Sequence, residues 1–384
     1  NTPPHLKDLT KYKTPTTGDS FTFSVNASDN SEINNVFVNY QFDSRTFYNK
    51  SMSKGTDSWE HTVTIPRSSE SLTYYFTAND LANNWNSTSQ TNLDVDDNDP
   101  PSVVDTTTGI PDTDTFYNIT GDASDNREIE EVILKYTIST IEVKIHKNIT
   151  MNPSYWKEIY IPNDATELSY YILAIDKVGN SGSSSTTIIS VNDTEKPSIN
   201  DMTTDTPTTG DEFHITAEIY DNIDISEAFL NYSIESLSGY VETHRVRMHT
   251  GYYNDISIWR NATHFSYRIS AVDTSNNWEW NSKKELTVID NDSPTIIDHS
   301  QAIGTTGEEY IFNASISDNI MVENVFFNYW TDTTTFKNRS MEKSGNDLYK
   351  FTISLPNDRT TLYYNILAVD NSSNGAKTGD ISSE

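Results

Sequence analysis

The chain has 384 residues, with 56 Asp plus Glu against 26 Lys plus Arg and a formal charge of −30. That charge repels a phosphate backbone or an anionic bilayer, so neither nucleic acid nor acidic lipid is an expected partner. Cysteine is absent, which removes disulfides, thiol nucleophiles and Cys-ligated zinc.

No apolar run reaches the roughly 18 residues of a membrane helix, and Asn1 opens no charged-then-apolar leader pattern, so membrane insertion is not expected within these residues. The aromatic residues (22 Tyr, 15 Phe, 7 Trp) sit among Thr, Ser, Asn and Val. Such a mixture suits a pleated, half-buried surface and predicts strands with few helices.

Internal repetition sets the domain number. Pro3, Pro100, Pro197 and Pro294 recur with a period of 97 residues. Each Pro is followed by an opening strand and then by an Asp-Asn pair: Asp29-Asn30, Asp125-Asn126, Asp221-Asn222 and Asp318-Asn319.

The next strand alternates apolar positions, as in Val36/Val38/Tyr40, Val132/Leu134/Tyr136, Ala228/Leu230/Tyr232 and Val325/Phe327/Tyr329. This period of two predicts one face turned to a core. Two further extended segments follow. One ends near Met52, Met151, Met248 and Met341; the other runs through Trp59 to Ile65 and its counterparts.

Late in each copy comes the clearest strand, Leu72/Tyr74/Phe76/Ala78/Asp80, matched by Leu168/Tyr170/Ile172/Ala174/Asp176, Phe265/Tyr267/Ile269/Ala271/Asp273 and Leu362/Tyr364/Ile366/Ala368/Asp370. Asn84, Asn180, Asn277 and Asn374 stand four residues beyond the Asp, preceded by Asn83, Gly179, Asn276 and Ser373. Gly and Asn tolerate positive φ, so a tight loop to the closing strand is expected.

About seven strands in about 100 residues predict an all-β protein of four tandem Ig-like β-sandwich domains, spanning residues 1–96, 97–193, 194–290 and 291–384. The spacing at both ends leads us to expect that the array continues beyond this sequence.

The segment Leu168-x-Tyr170-x-Ile172-x-Ala174-x-Asp176-x-x-Gly179-Asn180, with the acidic linker before Pro197, resembles the Ig-like repeats of prokaryotic, especially archaeal, cell-surface and S-layer-type proteins. The resemblance covers the chain four times over. Fibronectin type III modules share the plan but carry a Tyr six residues before the Ala, where Leu72, Leu168, Phe265 and Leu362 stand. The resemblance implies stalks, lattice subunits, filaments or adhesins at the cell surface. It supplies no catalytic residue and names no ligand.

Carboxylates gather where domains meet. Asp96, Asp193 and Asp290 each stand four residues before the recurring Pro, accompanied in the linkers by Asp97 and Asp99, by Glu195 and by Asp292. The sandwich connectivity should set them beside the Asp-Asn loop and the late-strand loop of the next domain: Asp125 and Asp176, Asp221 and Asp273, Asp318 and Asp370. Ca²⁺ takes about six to eight oxygens from such groups. The alternative is that Asp-Asn pairs are turn formers bonding their own backbone and that linkers are polar because they are exposed. Both readings stand at this point. The linkers contain Pro and no Gly, so stiff joints are expected, with four domains in line extending on the order of 150 Å.

Sequons occur at Asn26, Asn49, Asn86, Asn118, Asn148, Asn192, Asn231, Asn261, Asn313, Asn338 and Asn371, and Pro294 weakens the one at Asn291. Asn49, Asn148 and Asn338 share one position three residues before the repeated Met, which singles them out as glycosylation candidates.

The eight His residues occupy no common column, and phosphate-binding Gly loops and nucleophile elbows are missing, so no catalysis is expected. Trp85, Trp278 and Trp280 follow the Asn-rich loop, where they could stack on a sugar ring or fill a junction or core edge. The expected role is structural and extracellular, with copies of the chain or other surface proteins as partners. The alternative is an adhesin that binds a glycan or protein through one domain.

Overall fold

The computed structural model describes residues 2–332 and 334–383, and among these every regular element is a strand. No helix among the described residues is long and apolar enough to cross a membrane. The chain divides into two units, Asn1–Asp193 and Thr194–Glu384. Each unit holds two sandwiches with separate hydrophobic cores.

The first sandwich runs β1 (His5–Asp8), β2 (Ser20–Ser28), β3 (Ile33–Phe42), β4 (Tyr48–Ser51), β5 (Ser53–Lys54), β6 (Trp59–Thr64), β7 (Ser71–Asp80), β8 (Trp85–Ser87) and β9 (Thr91–Asp94). One antiparallel sheet has the order β1-β2-β6-β5, and the other β4-β3-β7-β8 with β9 also on β7. The remaining sandwiches repeat this arrangement, apart from the short β5, which has a counterpart only in the fourth.

Period-two patterning decides which face is buried. Val36 and Val38 on β3, and Leu72, Tyr74, Phe76 and Ala78 on β7, are fully or nearly fully buried, as are their counterparts in the other three copies. Phe37 and Thr77, between them, face outward on the pleat. Tyr136, Tyr232 and Tyr329, expected inside, lie half-buried at the core edge.

The repeated Met marks a crossing point. Met52 and Met341 stand where the edge strand leaves one sheet for the other, and in every copy the Met N–H donates to a carbonyl on the third strand, Val36 in the first. An unbranched thioether fills the irregular space left there.

The closing strand is broken once in each copy. At the break the backbone N–H of Thr88, Ser184, Asn281 or Thr378 donates to the carbonyl of Phe76, Ile172, Ile269 or Ile366. Its side-chain oxygen accepts the N–H of that same residue, so the interrupted ladder is made good by a polar side chain.

The residue before the loop Asn has positive φ in all four copies: Asn83 at 63°, Gly179 at 99°, Asn276 at 70° and Ser373 at 74°. In the opening turn the Gly of a Thr-Thr-Gly triplet recurring at Thr16–Gly18, Thr208–Gly210 and Thr305–Gly307 is also left-handed, and the second domain, which lacks the triplet, places Asp114 there at 54°.

Candidate metal centre at the domain junctions

Burying an Asp at the end of each late strand needs compensation, and the loop supplies it. Asp176 Oδ1 accepts the N–H groups of Val178, Gly179 and Asn180, and its Oδ2 accepts Asn180 Nδ2 at 2.8 Å. Asp370 is held the same way by Ser372, Asn374 N and Asn374 Nδ2, and Asp273 by Ser275, Asn277 N and Asn277 Nδ2. Asp80 in the first sandwich takes the N–H and Nδ2 of Asn84. The Asp-to-Asn spacing of four is therefore that of a self-bonded turn, and the Asp-Asn pairs form turns as well, Oδ2 of Asp125, Asp221 and Asp318 accepting the N–H two residues on.

Turn formation does not account for the linker carboxylate. In the first unit Asp97, with its side chain 1% exposed, brings one oxygen to within 4.8 Å of an oxygen of Asp125 and of Asp176. In the second unit Asp290, 6% exposed, meets Asp318 and Asp370 within the same limit. The Asn of each Asp-Asn pair ties the next sandwich to the linker. Asn126 Nδ2 donates to Asp97 Oδ1 at 2.9 Å and to Arg67 O at 2.9 Å; Asn319 Nδ2 donates to Asp290 Oδ1 at 2.9 Å and to Arg260 O at 2.8 Å. The loop Asn adds a further tie, from Asn180 Nδ2 to Asp97 O at 3.0 Å and from Asn374 Nδ2 to Asp290 O at 2.8 Å.

The preceding sandwich grips the same carboxylate. Thr17 Oγ1 donates to Asp97 Oδ1 at 2.9 Å, and Thr209 Oγ1 to Asp290 Oδ1 at 3.0 Å. This is the work of the Thr-Thr-Gly triplet, whose role the sequence reading missed although its recurrence was visible.

One sequence expectation is corrected by a single residue. Counting back from the Pro aligned Asp96 with Asp193 and Asp290, but the doubled Pro100-Pro101 hides the register. Pro101 directly precedes the opening strand Ser102–Asp105, as Pro197 precedes Ser198–Asp201 and Pro294 precedes Thr295–Asp298. Asp97 is therefore the buried linker carboxylate, and Asp96 is exposed, bridged to Thr16 in the opening turn.

Asp99 stands beside the cluster, 3.7 Å from Arg67 Nη1, and Asp292 accepts Thr209 Oγ1 at 3.2 Å. Asp193 is buried at the end of the first unit and accepts Thr113 Oγ1 at 3.3 Å. In the second unit Glu195 is half-buried, and Asp221 accepts the N–H of Ile223 on the loop whose strand pairs with Asp273.

The junctions inside the two units differ at one residue. Arg127 follows Asp125-Asn126, with its Nε 3.9 Å from Asp97 Oδ2 and its Nη2 bonded to Ser69 O and Val95 O. Its counterpart is Ile320. Burial opposes the Asp97 charge most, but Asn126, Thr17, the Asp99 N–H and the Arg127 guanidinium outweigh it and hold this carboxyl below the usual range. Asp318 lies above that range: burial pushes it up most, Asp290 and Asp370 add to the push, and the Ile320 and Met321 N–H groups oppose it.

Among the candidate glycosylation sites, Asn49, Asn148 and Asn338 lie exposed on the edge strand of the five-stranded sheet. Asn26, Asn86, Asn118, Asn261, Asn313 and Asn371 are exposed as well. Asn231 is half-buried and donates to Ser270 Oγ. Trp85 and Trp278 lie on the outer faces of their own sandwiches. They stack on the outward-facing Phe37 and Phe229 of their own sheets, and Trp278 also stacks on Trp280 at 5.7 Å.

No family model matches the chain, and no curated protein matches it. Among solved structures it is similar to the tetra-tandem repeat in the extending region of a large adhesion protein, at 13% identity over 97% of each chain with a TM-score of 0.40. It is similar to the D1–D4 ectodomain fragment of ICAM-5, at 8% identity over 100% of each chain with a TM-score of 0.42. A titin I-band fragment, I67–I69, matches at 14% identity over 76% of this chain and 100% of that one, with a TM-score of 0.37. These likenesses carry no residue role over.

Proposed function

We propose that the chain is a non-catalytic structural segment of an extracellular surface protein, a stalk, filament, sheath or lattice element, whose task is to hold successive sandwiches in a fixed relation. The observation that carries this reading is the interlock that recurs in both units. One buried linker Asp is gripped from behind by a Thr hydroxyl and from ahead by two Asn amides, at matching distances. A flexible tether needs no such device. Immunogold labelling of intact cells that make the protein should decorate the surface; label confined to the interior refutes the placement. Limited proteolysis at the linkers tests the interlock: the wild-type chain should resist, and the Asn126→Ala/Asn319→Ala double variant should be cut.

Exposed edge-strand positions Asn49, Asn148 and Asn338 support the reading of the protein as glycosylated, and mass spectrometry of protein from its source should find them modified before the half-buried Asn231.

A second reading, an adhesin, is favoured by the outer face of the third sandwich. There the Arg245 guanidinium lies 4.0 Å over Phe229 and 5.4 Å from Trp278, in the position that Asn49 and Asn338 hold in their own domains. Such a face suits an acidic sugar or peptide. Glycan-array binding lost in Trp278→Ala is the outcome this reading requires.

A further inference from the structure

We propose that the Asp290–Asp318–Asp370 cluster is a divalent-cation site of the Ca²⁺ type, and that its counterpart Asp97–Asp125–Asp176 takes the same ion more weakly because Arg127 already places a positive charge there. The proposal rests on the interlocked-junction reading and adds a ligand to it.

Two independent observations carry it. The first is spacing: one oxygen of each of three carboxylates lies within 4.8 Å of the others, close enough for small side-chain adjustments to bring all three to the Ca²⁺–oxygen distance of about 2.4 Å. The second is an unmet demand. Asp290 is more than nine-tenths buried, and while its Oδ1 accepts three hydrogen bonds, its Oδ2 is buried without a donor; Asp318 Oδ1 is in the same condition. Asp97 Oδ2 and Asp125 Oδ1 repeat this in the first unit. A buried carboxylate oxygen with neither donor nor cation is costly. Two carboxylates on different elements that each carry such an oxygen, gathered with a third, therefore point to a positive charge between them. The donors are all oxygens, with no His in the cluster, which suits a hard cation and not zinc.

The asymmetry follows from one side chain. Arg127 Nε lies 3.9 Å from Asp97 Oδ2 and satisfies part of the demand, whereas Ile320 brings no charge to the second junction. A cation entering the first junction meets the guanidinium's repulsion; one entering the second does not.

The test is calorimetric titration of the chelator-stripped full chain with CaCl₂, repeated for Asp318→Asn, Ile320→Arg and Arg127→Ile, with circular dichroism to confirm that each variant is folded. Asp318→Asn should lose one equivalent of bound Ca²⁺. Ile320→Arg should weaken that equivalent tenfold or more, and Arg127→Ile should tighten the first-unit equivalent by a similar factor. A flat wild-type titration, or an unchanged stoichiometry in folded Asp318→Asn, overturns the site. Unchanged affinity in both Ile320→Arg and Arg127→Ile overturns the ranking, and equal affinity for MgCl₂ overturns the Ca²⁺ assignment. Linker proteolysis in EDTA separates the two readings. Resistance with a flat titration leaves the interlock standing without the ion, whereas rapid cleavage with and without Ca²⁺ removes the interlock itself.

Discussion

Replacing Asn319 by Ala removes two hydrogen bonds across the junction of the second unit, one to the Asp290 carboxylate and one to the Arg260 carbonyl. A bond to a charged acceptor contributes about 1.5–3 kcal/mol and a neutral one about 0.5–1.5 kcal/mol. Asp290 Oδ1 keeps Thr209 and the Asp292 N–H, which tempers its loss. The net cost at the junction is therefore about 2 kcal/mol, or roughly a 30-fold rise in local opening at about 1.4 kcal/mol per tenfold. Hydrogen exchange read by mass spectrometry on peptides covering residues 288–294 and 316–323 should show this acceleration, with protection of the core strand Leu362–Asp370 unchanged. Acceleration of less than threefold at the linker, or equal acceleration in the core strand, refutes the claim that Asn319 clamps the junction.

Three further outcomes follow from the sandwiches themselves. Tyr267→Phe should destabilise the third sandwich by about 1.5–3 kcal/mol in urea unfolding, because the Tyr267 hydroxyl donates to Asp201 at 2.8 Å and its loss leaves a partly buried carboxylate short of a donor. Burial pushes the Tyr170 hydroxyl up to about 12; the Asp105 carboxylate adds to the push and Thr107 counters it. Since the unfolded value is about 10, the stabilisation is complete below pH ~10 and is lost as pH rises through ~12. Thermal unfolding of Tyr170→Phe should therefore lose part of the alkaline slope seen in the parent. Ser373, held at φ 74°, should gain about 0.5 kcal/mol on replacement by Gly, the relief of left-handed strain exceeding the added chain entropy; an unchanged urea midpoint counts against that balance.

Much of the candidate site was legible without coordinates, because an internal repeat compares the chain with itself. The Asp columns at 125/221/318 and 176/273/370, and the loop Asn four residues on, were found from spacing alone. A further column, Asp8, Asp105, Asp201 and Asp298, was equally visible but went unread. Its meaning depends on a partner 66 residues away in three copies: Tyr74 reaches Asp8, Tyr267 reaches Asp201 and Tyr364 reaches Asp298. The doubled Pro100-Pro101 concealed which linker Asp is buried, since periodicity places a column only to within a residue.

The sequence by itself determined the all-β class, the inward face of each strand and the left-handed position of each tight loop, because these depend on a period of two and on local backbone sterics. Only the tertiary structure decided that Asp97 and not Asp96 turns inward, that Thr17 and Thr209 hold the linker, and that Arg127 faces a carboxylate where Ile320 does not. Those facts depend on which side of a linker meets the next domain, and no local preference encodes that choice. It is set when two sandwich ends and the segment between them are packed together, and so the chemistry of the junction appears only at that level.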